Sequence, residues 1–129
     1  MTALWNRDRK PRLLVIENDF GVGNMLRIYF DQWAEVTLVS RASEGLELYS
    51  SALFDLIILG VGFTDSGEDE FMRSIQAPGK KVPIIVVSSR NERAARLKGL
   101  ELGADDYIPK PFDIEELRFR VSRILKHLA

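Results

Sequence analysis

Three stretches of the chain are apolar without interruption: Leu13-Leu14-Val15-Ile16, Leu56-Ile57-Ile58-Leu59 and Ile84-Ile85-Val86-Val87. A strand with one wetted face alternates apolar and polar residues. Continuous runs of this length predict strands buried on both faces of a parallel sheet. Shorter runs at 36–39 and at Tyr107-Ile108 complete a set of five. Between them the apolar residues recur with helical spacing. Met25, Leu26, Ile28, Tyr29 and Phe30 mark a first helix over about 20–32. Leu46, Leu48, Tyr49 and Leu53 mark a second, with Ser40 as its cap. Phe71, Met72 and Ile75 mark a third that stops before Pro78-Gly79. Ala95, Leu97, Leu100 and Leu102 supply the core face of a fourth over about 92–102, and Gly103 suits the position that ends it. Asp113 opens the fifth, with Glu116 three residues on as in a capping box. Leu117, Val121, Ile124, Leu125 and Leu128 form its apolar face.

Five strand–helix units with short connections predict an α/β fold. The expected form is a doubly wound parallel (βα)5 sheet in the flavodoxin-like order 2-1-3-4-5. In such a sheet ligands gather beyond the C-terminal strand ends, near the switch point between strands 1 and 3. The residues there are Glu17, Asn18, Asp19, Gly60, Gly62, Ser88, Ser89 and Lys110.

The 129 residues suit one domain, read as a tail over 1–11, anchored only by Trp5, and a folded unit over 12–129. Eighteen basic against nineteen acidic side chains leave a net charge of −1, so no global field draws the chain to nucleic acid or membrane. The absence of cysteine excludes disulfides, thiol nucleophiles and thiolate metal sites. The single histidine, His127, makes a transition-metal site unexpected and suits the end of the last helix. No apolar run approaches the roughly 18–20 residues of a membrane span, and the first residues lack a signal-peptide core. A cytoplasmic location is the expectation. Gly21-Val22-Gly23 opens a helix after a strand, but Leu26 stands at the third glycine of a dinucleotide fingerprint. Trp33 reads as core or a packing edge rather than a binding platform.

The run Gly-Ala-Asp-Asp-Tyr-Ile-Pro-Lys-Pro-Phe at 103–112 resembles the receiver domains of two-component response regulators. Pro83-Ile84-Ile85-Val86-Val87-Ser88 and the strand–helix spacing extend the resemblance over residues 12–128. The resemblance implies a site. Two acids at the end of strand 1 hold Mg²⁺ in such domains, and Glu17 and Asn18 stand there, with Asp19 beside them. The phosphoryl-accepting aspartate ends strand 3, and here Asp55-Leu56-Ile57-Ile58-Leu59 leads to Gly60. Ser88 matches the hydroxyl residue that ends strand 4. Lys110 matches the phosphate-contacting lysine, and Pro111 follows through a peptide bond that is cis in the family. Tyr107 matches the switch aromatic, and the Gly62 carbonyl a metal ligand.

Three departures fall in one pocket: Asn18, Gly60, and a loop over 61–67 without the proline typical four residues past the acceptor. Glycine offers no nucleophilic oxygen, and an amide is a poorer Mg²⁺ ligand than a carboxylate. Asp65 lies five residues into the loop, poorly placed for in-line attack. The expectation is a pseudo-receiver that is not an enzyme. It lacks a phosphoacceptor, binds Mg²⁺ weakly or not at all, and keeps Lys110 paired with Glu17.

Arg96, Asp105, Asp106, Glu116 and Arg120 are placed as in receivers of the OmpR/PhoB type. That resemblance implies a two-fold contact through helix 4, strand 5 and helix 5, with Arg96 meeting Glu116 and Asp106 meeting Arg120 across it. Expected partners are a histidine kinase, an output domain or a second copy, with no direct nucleic-acid contact and no membrane. Two alternatives stand beside this reading. In one, the emptied pocket around Ser88, Ser89, Lys110 and the glycines at 60 and 62 binds a small anion or metabolite. In the other, an ordinary receiver carries an engineered acceptor site.

Overall fold

Because successive strand residues face opposite sides of a sheet, each buried run feeds two cores at once. A computed structural model describes residues 9–62, 67–76, 82–90 and 92–128. Its elements run β1 (Arg12–Ile16), α1 (Phe20–Phe30), β2 (Glu35–Val39), α2 (Ala42–Ser51), β3 (Leu56–Val61), α3 (Glu68–Ser74), β4 (Ile84–Ser88), α4 (Arg93–Glu101), β5 (Asp106–Pro109) and α5 (Ile114–Leu128). The strands form one sheet in the order β2-β1-β3-β4-β5, with every neighbouring pair parallel. This is the flavodoxin-like order predicted from the alternation.

Leu14, Ile16, Ile57, Leu59, Ile84 and Val86 point to one face, where Tyr49, Phe71, Met72 and Ile75 of the second and third units cover them. Leu13, Val15, Leu56, Ile58, Ile85, Val87 and Ile108 point to the other, under Leu26 and Phe30 of α1 and Leu117, Val121 and Leu125 of α5. Each large side chain fully buried this way contributes about 1.5–3 kcal/mol against exposure. These two cores hold the strand ends in place beneath the site.

Several details depart from expectation. Residues 9–11, at the end of the predicted tail, make contacts with the folded unit. Pro11 is buried and its carbonyl accepts the Glu35 N–H at 2.9 Å, while Arg9 pairs with buried Asp55 at 3.1 Å. Asp55 also accepts the Arg12 N–H at 2.7 Å, which is why an acid opens an apolar strand. Ser40 does not cap α2. Its hydroxyl donates to Glu44, which also accepts the Arg41 N–H at 3.2 Å.

Leu53 is 77 % exposed, because it follows the helix and leaves its apolar stripe. Leu97 and Leu100 also face outward, leaving Gly99 as the buried residue of α4 and Leu102 packed at the core margin. At the start of α5 the Asp113 side chain accepts the Glu115 N–H at 2.8 Å. Glu116 bonds Arg120 rather than closing a box. Gly103 has φ of 112°, a left-handed conformation that suits glycine just past a helix. Trp33 is a packing edge, set against Tyr29 and covered by Arg118 at 4.6 Å. Trp5, Asp65, Pro78-Gly79 and the side chains of His127 and Leu128 lie outside the described residues.

Candidate functional site

The sheet register sets the site. Ile16 of β1 lies beside Leu59 of β3, so the next residues, Glu17 and Gly60, emerge side by side at the C-terminal edge. β4 ends nearby at Ser88, and the Lys110 N–H donates to the Ser88 carbonyl at 2.7 Å. β3 runs through Gly60 to Val61, so Gly60 sits within the strand rather than after it.

Glu17 is the centre of the pocket. Its side chain is 1 % exposed, and Oε1 faces Lys110 Nζ at 2.9 Å. That contact is an ion pair, with no donor in hydrogen-bond alignment on Oε1 among the described residues. Oε2 accepts the Asp19 N–H at 2.9 Å. The carboxylate occupies the space directly over Gly60. A Cβ at residue 60 would overlap Glu17 Oε1 and stand 2.7 Å from Glu17 Cδ and 3.1 Å from the Ile16 carbonyl oxygen. Any side chain there must displace Glu17.

The remaining residues of the predicted pocket are drawn elsewhere. Asn18 and Asp19 are exposed, and Asp19 Oδ1 caps α1 by accepting the Val22 N–H at 3.0 Å. Ser88 is fully buried, and its hydroxyl is engaged by the Arg90 backbone. It donates to the Arg90 carbonyl at 3.2 Å and accepts the Arg90 N–H at 2.9 Å. The Lys110-Pro111 peptide is cis, as the resemblance implied.

A hard divalent cation needs several oxygen ligands free to turn toward it. Here one Glu17 oxygen faces an ammonium and the other a backbone N–H, Asp19 Oδ1 holds a helix end, and residue 60 has no side chain. Among the described residues, the Glu17 and Asp19 oxygens in these contacts would have to give them up to meet a cation.

Tyr107 reaches inward from β5 and its hydroxyl donates to the Arg90 carbonyl at 2.7 Å, the same oxygen that Ser88 contacts. The ring lies over Gly99, where an added Cβ would come within 2.7–2.8 Å of its edge. Val61, Met72, Val86 and Ala95 line the small space around it, with Asp69 and Lys98, which pair across α3 and α4 at 2.8 Å. Arg90 and Gly99 were not singled out in the sequence. A glycine inside a helix, costing about 1 kcal/mol against alanine, was the signal available. Gly99→Ala is expected to push the Tyr107 ring out of its seat and to cost about 1–3 kcal/mol through overpacking, read as a lower urea midpoint. Tyr107→Phe keeps the ring and loses only the hydrogen bond, about 0.5–1.5 kcal/mol.

On the face made by α4, β5 and α5, the predicted interface charges make contacts within one chain. Within the chain, Nη1 of Arg120 donates to both carboxylate oxygens of Asp106 at 2.6 Å, and Nη2 donates to Glu116 at 2.8 Å. The pairing with Asp106 keeps the Arg120 guanidinium more firmly protonated than usual. Asp105 accepts the Ile84 N–H at 2.8 Å and so serves the sheet margin. Arg96 is exposed and forms no ion pair among the described residues.

Known proteins share this architecture. The profile of the response regulator receiver domain matches residues 13–122. The transcriptional regulatory protein CiaR of Streptococcus pneumoniae is 31 % identical over 115 residues, covering 89 % of this chain and 51 % of that protein. The response regulator MprA of Mycolicibacterium vanbaalenii is 35 % identical over 117 residues, covering 89 % and 50 %. The chain thus spans about half the length of these relatives. The non-phosphorylated HemR receiver domain of Leptospira biflexa is 32 % identical with a TM-score of 0.81, covering 90 % of this chain and 94 % of that one. With the profile spanning most of the chain and the parallel 2-1-3-4-5 sheet beneath it, this protein belongs to the response regulator receiver domain family of two-component signalling.

Proposed function

We propose that this receiver signals without accepting a phosphoryl group at residue 60, acting through protein–protein contact on the face made by α4, β5 and α5. The observation that carries this reading is the state of the strand-end pocket. Residue 60 is glycine, and the one buried carboxylate beside it is committed to Lys110 and to the Asp19 N–H. Phosphoryl transfer needs a nucleophilic oxygen in near-attack position and a cation over the transferred group. Among the described residues, the glycine at 60 and the engaged Glu17 carboxylate support the view that neither requirement is met. An anion-sensing role has less support, because the room it needs next to Gly60 is taken by Glu17.

The candidate face combines exposed Leu97 and Leu100 on α4 with charges of both signs on β5 and α5. A second copy, a kinase or an output domain are the partners such a face could take, and the resemblance to receivers of the OmpR/PhoB type favours a second copy. Sedimentation velocity with and without Mg²⁺ and acetyl phosphate tests the reading. The same dimer is expected in both conditions, weakened about tenfold, or 1.4 kcal/mol, by Glu116→Lys. A dimer that appears only with the phosphodonor, or covalent label from acetyl phosphate on the wild-type protein, overturns it.

A further inference from the structure

Gly60 and Glu17 account for one another. The first lacks a side chain, and the second places its carboxylate where that side chain would begin. The arrangement is not a loose surface contact. The Glu17 carboxylate is almost fully buried, ion-paired to Lys110 at 2.9 Å and fixed from the other side by the Asp19 N–H. The sheet register brings residue 17 beside residue 60 whatever their side chains are. A glutamate at the end of β1 can therefore hand its carboxylate to a slot that belongs by position to β3.

We propose that Glu17 is an internal ligand of this receiver. Its carboxylate stands in for a residue-60 side chain, holds Lys110, and keeps the slot filled without any phosphodonor. This deepens the reading above and rests on it, since a slot that served phosphoryl transfer would have to be open. Gly60 is on this view a specificity-determining residue, because only glycine leaves room for the inserted carboxylate. The consequence is chemical. Glu17→Ala removes a CH₂–COO⁻ group, the equivalent of one acetate ion. It leaves the Lys110 ammonium and the Asp19 N–H facing the space vacated, which makes a small carboxylate site where the wild-type protein has none.

The test is rescue by acetate. Glu17→Ala is expected to melt lower than wild type. Acetate at about ten times its dissociation constant should raise its Tm by about 3–6 °C over chloride at equal ionic strength. Acetate should do nothing comparable to the wild-type protein or to Glu17→Ala/Lys110→Met. Equal effects of acetate and chloride on Glu17→Ala, or an equal acetate effect on wild type, overturn the proposal.

Should Glu17→Ala fail to fold, a shorter carboxylate serves. Gly60→Ala should lower the wild-type Tm by several degrees yet leave Tm unchanged or higher when introduced into Glu17→Asp, where a methylene has been withdrawn. Equal losses in both backgrounds overturn the proposal. Labelling of wild type by acetyl phosphate would strike the phosphorylation-independent reading, whereas failed rescue with no labelling strikes the internal-ligand inference alone.

Discussion

Lys110→Met is expected to destabilise the domain by about 3–5 kcal/mol, the usual cost of stripping one partner from a buried ion pair. Glu17 then remains in the pocket with its charge facing a thioether and only the Asp19 N–H to offset it. For a domain of this size the loss corresponds to a fall in Tm of roughly 10–20 °C. The pair itself need not be worth that much, because desolvation cancels most of the Coulombic gain when two charges are buried together. Glu17→Gln/Lys110→Met should therefore recover most of the loss, and urea unfolding of the two single variants and the double variant measures the coupling. A single-variant cost below about 1 kcal/mol would class the pair with exposed ones. That result would contradict the burial of Glu17.

Restoring an acid at residue 60 is expected to fail as a repair. Gly60→Asp should cost about 3–5 kcal/mol, combining overpacking with a second carboxylate pressed against Glu17. It should take no label from acetyl phosphate, because the new side chain would overlap Glu17. In a Glu17→Ala background the same substitution should cost at least 2 kcal/mol less, since the overlap and the like charge are both removed. Denaturation midpoints and phosphodonor labelling check the two halves separately. Stable, labelled Gly60→Asp with Glu17 intact would mean that Glu17 swings aside easily.

Much of this molecule was legible before its structure. The three uninterrupted apolar runs could only serve strands with both faces covered, and the alternation with helices left one natural sheet order. Strand ends follow from strand order, so Glu17, Gly60, Ser88 and Lys110 could be named as neighbours from spacing. The pairing of Glu17 with Lys110 followed from charge once strand order and the receiver resemblance had put both at one edge.

What spacing does not encode is the direction a side chain takes. Glu17 could be placed beside Gly60, but not its insertion into the space over that glycine, which depends on the rotamer that Lys110 and the Asp19 N–H select. Ser88 could be placed at the end of its strand, but not the two hydrogen bonds its hydroxyl makes with the Arg90 backbone. On α4, helical periodicity offered Leu97 and Leu100 to the core, yet the Tyr107 ring needs the face that Gly99 leaves bare. A large residue from the neighbouring strand thus decided the rotation of the helix.

The hold of Arg120 on Asp106 bears on how two copies could meet. Association that moved this contact from within the chain to between chains would trade one ion pair for an equivalent one. Such an isocoulombic exchange conserves the number of paired charges and releases few counterions. Its equilibrium should respond little to ionic strength, although the surface involved is rich in charge. Affinity would then rest on the apolar area of Leu97 and Leu100, and the arginine's grip would act on the rate, since it must open before a partner can take its place.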